Sequence, residues 1–117
     1  MKVLLAADGS KCATRAARYL VAHLGMFGVK PDVSVVHVHM PIPSRAASAV
    51  PRATLDRYYR DEMRKAMGPV ERILKARGTA FEPVRLVGDP PRSIAAYAER
   101  RRFSMIVMGS RGQGALS

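Results

Sequence analysis

Val3-Leu4-Leu5-Ala6-Ala7-Asp8-Gly9-Ser10 is the stretch on which the fold turns. Five apolar residues run without alternation and stop at an acid, a glycine and a serine. A strand with one face in water alternates apolar and polar side chains. A strand covered on both faces does not, and short continuous runs of this kind mark parallel sheets. Ser10 suits a helix N-cap, because its hydroxyl accepts from an amide left orphaned in the first turn. Beyond it Ala13, Ala17, Leu20, Leu24 and Phe27 recur at three- and four-residue steps, one helical face closed by Gly28.

Working outward, Val33-Ser34-Val35-Val36-His37-Val38-His39-Met40 is rich in β-branched residues and predicts a second strand. Pro41, Pro43 and Pro51 bracket small residues, so residues 41–53 read as a loop. Residues 54–77 predict a longer helix, with Leu55, Tyr59, Met63, Met67, Val70 and Leu74 on one face. Gly68-Pro69 interrupts it, and a proline inside a straight helix costs about 3 kcal/mol, so a kink or break is expected at Met67. Gly78 ends this helix. Residues 81–87 form a third strand, placed at the sheet edge or starting after Pro83, because a proline cannot donate to a ladder.

Asp89-Pro90-Pro91 is a helix start, an acid at the cap followed by proline where the missing N–H costs nothing. Ile94, Tyr97 and Ala98 give that helix its buried face, and Arg100-Arg101-Arg102 ends it with charges that complement the helix dipole. Residues 105–108, Met-Ile-Val-Met, form a fourth buried strand that opens into Gly109-Ser110-Arg111-Gly112-Gln113-Gly114. The order β-α-β-α-β-α-β predicts a doubly wound α/β domain with a parallel sheet.

With 117 residues and 48% hydrophobic content, the chain is expected to fold as one domain, residues 1–117, with its own core. The single Cys12 excludes an internal disulfide framework and a cysteine-rich zinc site and fits a reducing compartment. No apolar run reaches the roughly 18 residues of a membrane helix, and Asp8 comes too soon for a signal peptide. A cytoplasmic globule is expected. The formal charge is +11, with 20 bases against 9 acids. It is spread along the chain, with one local run at residues 100–102, which favours a solvated basic face over nucleic-acid binding.

In an open α/β sheet, ligands sit beyond the carboxyl ends of the strands where strand order reverses. Residues 7–10, 38–40 and 108–112 end in that crevice. The glycine-rich turn after residue 108 offers bare amides that can approach a phosphate closely. Asp8 and Ser10 also have a purely local reading, as caps of the first helix. His37 and His39 lie two apart on one side of a strand, but without a third ligand a packed or hydrogen-bonded pair is the better reading than a metal site. Cys12 reads as a small buried packing residue. No nucleophilic triad, lysine-bearing phosphate loop or paired-carboxylate site is present in the pattern, so binding is expected and catalysis is not.

Four elements together carry a resemblance. Residues 3–7 with Asp8 and Ser10, the Val36-His37-Val38 strand, Gly88-Asp89-Pro90, and the run from Ile106 through Gly109 to Gly112 resemble the universal stress protein family in order and spacing. The resemblance covers the whole chain. It implies a three-layer, open parallel sheet, flavodoxin-like or adenine nucleotide alpha hydrolase-like, with strand order 3-2-1-4-5, usually as a homodimer. One branch of that family binds ATP, and another does not. On the ATP branch Asp8 would lie near the adenosine, the Val38 backbone would meet the adenine, and Gly109 and Gly112 would hold phosphates. The cofactor implied is ATP, with Mg²⁺ accompanying it, and the function implied is a stress-response protein working by ligand-dependent conformation or assembly.

Ser104 departs from the family pattern, which has an acid there. The next phosphate-loop glycine would fall at position 122, and the sequence ends at Ser117, so the last helix and fifth strand of the family are expected to be missing. An apolar strand at residues 105–108 is then expected to be covered by a further segment or a second subunit. The alternative is a nucleotide-free interaction or dimerisation module that docks on an acidic partner.

Overall fold

The computed structural model describes residues 1–27 and 30–109. Gly28, and the Ser110, Arg111 and Gly112 of the glycine-rich turn, lie outside the described residues. The elements are β1 (Lys2–Ala6), α1 (Lys11–Ala22), β2 (Asp32–His39), α2 (Ser44–Ser48), α3 (Arg52–Ala76), β3 (Phe81–Val87), α4 (Pro90–Arg100) and β4 (Met105–Val107). The four strands form one parallel sheet in the order β3-β2-β1-β4. This is the expected three-layer α/β fold.

Side-chain alternation along the strands divides the core. Val3, Leu5, Val33 and Val35 face α1 and α3, meeting Ala17 and Leu20 of the first and Met67, Val70 and Leu74 of the second. Leu4, Val36 and Val38 face the other way and pack on Ile94 and Ala98 of α4. Both faces of β1 are therefore buried, which is why residues 3–5 carry no polar side chain.

Pro83 sits in β3, the edge strand, as expected. The Gly88 N–H donates to the His39 carbonyl at 2.9 Å. Peptide groups alternate direction along a strand, so the even-numbered residues of β3 bond β2 and the Pro83 nitrogen faces away from the ladder. The missing donor therefore costs no rung.

Three local expectations are corrected. The first helix stops at Ala22, where the His23 N–H reaches the Tyr19 and Leu20 carbonyls, and residues Leu24–Phe27 form a tighter 3-10 turn. Gly25, the residue least able to hold a helix apart from proline, lies in that turn. The expected loop at residues 41–53 contains α2, whose Ala46 and Ala47 are strong helix formers. Finally, of the kink or break expected at Met67, the break does not occur: α3 runs from Arg52 to Ala76. Met67, Val70 and Leu74 are all at most 1% exposed. Burying such side chains contributes roughly 1.5–3 kcal/mol each, which together exceeds the cost of about 3 kcal/mol for Pro69.

Helix ends follow the expected chemistry. Gly78, at φ +66°, closes α3, its N–H donating to the Lys75 carbonyl and the Thr79 N–H to the Leu74 carbonyl. The same pair of bonds closes α4, but there Arg102 takes the left-handed position at φ +58°. At the far edge, β4 pairs with β1 through Met105, Ile106 and Val107. Against the expectation of a buried strand, Ile106 is 39% exposed and the following Met108 53% among the described residues. Nothing in the described residues packs over the outer side of this edge strand.

Candidate functional site

Strand order reverses between β1 and β4. The chain leaves β1 toward β2 and β3 on one side and returns to β4 on the other, so the loops after β1 and β4 diverge and open a crevice. A cleft of about 130 Å³ lies there, lined by Asp8, Ser10, Val36, His37, Val38, Pro90, Met108 and Gly109 among others. This is well below the roughly 300–1,000 Å³ of pockets that enclose a whole small molecule. Asp8, Val38 and Gly109, three of the four residues singled out from sequence, thus share one cavity. Gly112 is outside the described residues.

A larger concavity of about 960 Å³ lies at the opposite, amino end of the strands, with Lys2, Asp32 and Phe81 on its walls. Gly25 and Lys30 also line it. Strand-following loops do not converge there.

The loop after β1 is locally determined. The Asp8 carboxylate accepts from the Ser10 N–H at 2.9 Å, and the Ser10 hydroxyl accepts from the Ala13 N–H at 3.1 Å. Both side chains therefore do the capping work of the local reading, and that work also fixes the Asp8 carboxylate at the mouth of the cleft. Between them Gly9 adopts φ +85°, where any Cβ would be strained, and a Cβ placed there would lie 3.5 Å from the α3 backbone at Ala66.

Gly109 closes the far wall. A Cβ there would fall on the Cys12 carbonyl and within 2.7 Å of the Cys12 Cβ. The glycine is required because the chain leaving β4 passes against the first turn of α1. Cys12 is half-buried rather than buried as expected.

The two histidines form the packed pair expected of them. Their rings meet edge to face at 4.7 Å, and His39 lies 5.0 Å from the Tyr59 ring of α3. His37 Nδ1 lies 2.9 Å from the Ala7 carbonyl. Among the described residues no group of three metal-ligating side chains exists. His39 is 4% exposed and its Nε2 lacks a hydrogen-bond partner. Burial above all, then the charges of His37 and Arg85, push its pKa below the ordinary 6.5, with Glu62 opposing. Sequence reasoning named Tyr59 only as part of a helical face and did not single out Glu62 or Arg85, because no spacing rule joins an α3 residue to a β3 residue.

A pH dependence follows. Unfolded, His39 takes its proton near pH 6.5; folded, it does so only at lower pH. Between these values the unfolded chain binds more protons, so this contribution to stability is full above the unfolded value and falls on acidification. The urea midpoint is expected to drop between about pH 7.5 and pH 5.5, and to drop less in His39→Phe. Equal drops in the two proteins would overturn this assignment.

A family model described as the universal stress protein family matches residues 1–117. The search of curated proteins returned no match. Among solved structures the chain is similar to a universal stress protein from Archaeoglobus fulgidus, at 24% identity and a TM-score of 0.70, covering 98% of this chain and 80% of that one. It is also similar to a universal stress protein in complex with cAMP, at 17% identity and a TM-score of 0.73, covering 99% and 80%. A third is a universal stress protein family protein from Arabidopsis thaliana with AMP bound, at 19% identity and a TM-score of 0.69, covering 100% and 81%. At such identities the structural likeness speaks for the fold.

Proposed function

Because this chain belongs to the universal stress protein family, we propose that it is a nucleotide-binding stress-response protein that takes ATP in the cleft at the β1–β4 switch point. The observation that carries this reading is the convergence of Asp8, Val38 and Gly109 on that one cleft. The relatives crystallised with cAMP and AMP support an adenine nucleotide as the ligand class. Val38 would meet the base through its backbone and Asp8 the sugar side. Gly109, whose bare backbone is already forced against α1, would begin the phosphate cradle that Gly112 continues, with Mg²⁺ accompanying the phosphates.

The residues of the cleft bind and orient; none is arranged to activate a nucleophile, so the proposed role is not enzymatic. Occupancy would favour one conformation or assembly of a cytoplasmic homodimer by differential affinity. No described helix is long and apolar enough to cross a membrane.

Calorimetric titration with ATP and Mg²⁺ tests the reading. Saturable heat with one site per chain is expected, and at a ligand concentration of 100 Kd the protein should gain about 2.7 kcal/mol of stability. Asp8→Ala is expected to weaken binding about tenfold through the lost contact and the loosened turn. No heat at millimolar ATP would sink the proposal. It would favour the alternative, a nucleotide-free module docking on an acidic partner, which draws on a formal charge of +11 and on a single ion pair, Arg64–Asp61 at 3.7 Å, among the described residues.

A further inference from the structure

We infer that His37 is a positioning residue of the cleft: its ring ends the β1–β2 ladder one rung early and leaves the peptide edge of Val38 facing the crevice. The Ala7 N–H donates to the Val36 carbonyl at 2.9 Å, and the Gly88 N–H to the His39 carbonyl at 2.9 Å. Peptide groups alternate along a strand, so the even-numbered residues of β2 address β1 and the odd-numbered ones address β3. Both polar groups of the Val38 peptide unit therefore point toward β1, at the level where β1 has given way to the Asp8 turn.

In a parallel ladder, the residue that donates to one carbonyl accepts from the N–H two residues further along the partner strand. For Ala7 that donor would be Val38. Instead the Ala7 carbonyl is met by His37 Nδ1 at 2.9 Å. A carbonyl can only accept, so Nδ1 carries the proton and the tautomer is set. The ring is held for this task by its edge-to-face contact with His39, itself buried against Tyr59. Ala7 is thus fixed from both sides, by Val36 at its N–H and by His37 at its carbonyl, immediately before the turn that presents Asp8.

The consequence for a ligand rests on the proposed nucleotide function: an unspent donor and acceptor on one strand suit the edge of a heterocyclic base. The placement of His37 does not rest on that function, and it can be tested on the protein without ligand.

In the ligand-free wild type, hydrogen exchange is expected to be about a hundredfold faster at the Val38 amide than at Val36 within the ladder. His37→Leu frees the Ala7 carbonyl, so Val38 should take it and exchange about tenfold more slowly, whereas His37→Asn, which keeps a side-chain N–H near the Nδ1 position, should behave as wild type. ATP affinity should fall about tenfold in His37→Leu and be largely retained in His37→Asn. A Val38 amide as protected as Val36 in the wild type, or a His37→Leu protein with unchanged exchange, would overturn the inference. Should His37→Leu fail to fold, the wild-type ring decides it: nitrogen-15 correlation at neutral pH should show the Nδ1–H tautomer, and the Nε2–H tautomer would refute the role. If the exchange pattern holds but ATP gives no heat, the nucleotide reading falls and the positioning role of His37 stands.

Discussion

Gly109→Ala is expected to lower stability by about 3 kcal/mol and the thermal midpoint by roughly 10–15 °C. Most small-to-large changes are softened because the obstructing atom ends a flexible side chain. Here the obstruction is the Cys12 carbonyl, backbone inside the first turn of α1. Neither the helix start, capped by Ser10, nor the chain leaving β4, which is paired with β1, can yield without breaking other bonds. The cost should therefore sit at the upper end of the overpacking range. Gly25→Ala is the control, because a Cβ there meets nothing within 4 Å, and its effect should stay within about 0.5 kcal/mol. A Gly109→Ala protein that melts with the wild type would show that β4 does not run against α1.

Pro69→Ala should act in the opposite direction. Pro69 has no N–H to give the Lys65 carbonyl four residues earlier, and its ring crowds that same carbonyl. The helix holds only because the side chains on either side of the proline are buried. Alanine restores the bond, removes the clash and keeps the helix continuous, at the expense of some packing by a half-buried ring. A gain of about 2 kcal/mol is expected, which moves the urea midpoint up by about 1 M. An unchanged or lowered midpoint would show that Pro69 is favourable where it stands. The Lys65 carbonyl lies 3.6 Å from where a Gly9 side chain would begin, so a lowered midpoint would point to the loop beside Asp8.

The parts of the fold legible in the sequence are those set by one-dimensional chemistry. Continuous apolar strands announced a sheet covered by helices, Pro83 announced an edge, and Asp89-Pro90 and Gly78 announced helix ends. The crevice was legible to the same depth: strand ends and their loops located it, and Asp8, Val38 and Gly109 line it. What was not legible depends on tertiary packing. Local propensity argues for a break at Met67, and only the sheet beneath α3 reverses that preference. Likewise His37 and His39 share a face by spacing alone, but that one ring reaches the Ala7 carbonyl while the other is buried without a partner for Nε2 follows from the end of β1.

The pairing of β1 with β4 also sets a timetable for synthesis. Val3 is matched with Met105, so one flank of β1 waits for a partner about a hundred residues downstream. At the roughly 5–20 residues per second of a translating ribosome, that wait lasts on the order of 5–20 s. During this interval β2 and β3 can already dock on the other flank of β1, while Val3, Leu4 and Leu5 present an unpaired ribbon edge to neighbouring nascent chains. Until residues 105–107 arrive, that flank of β1 has no strand of its own chain to pair with.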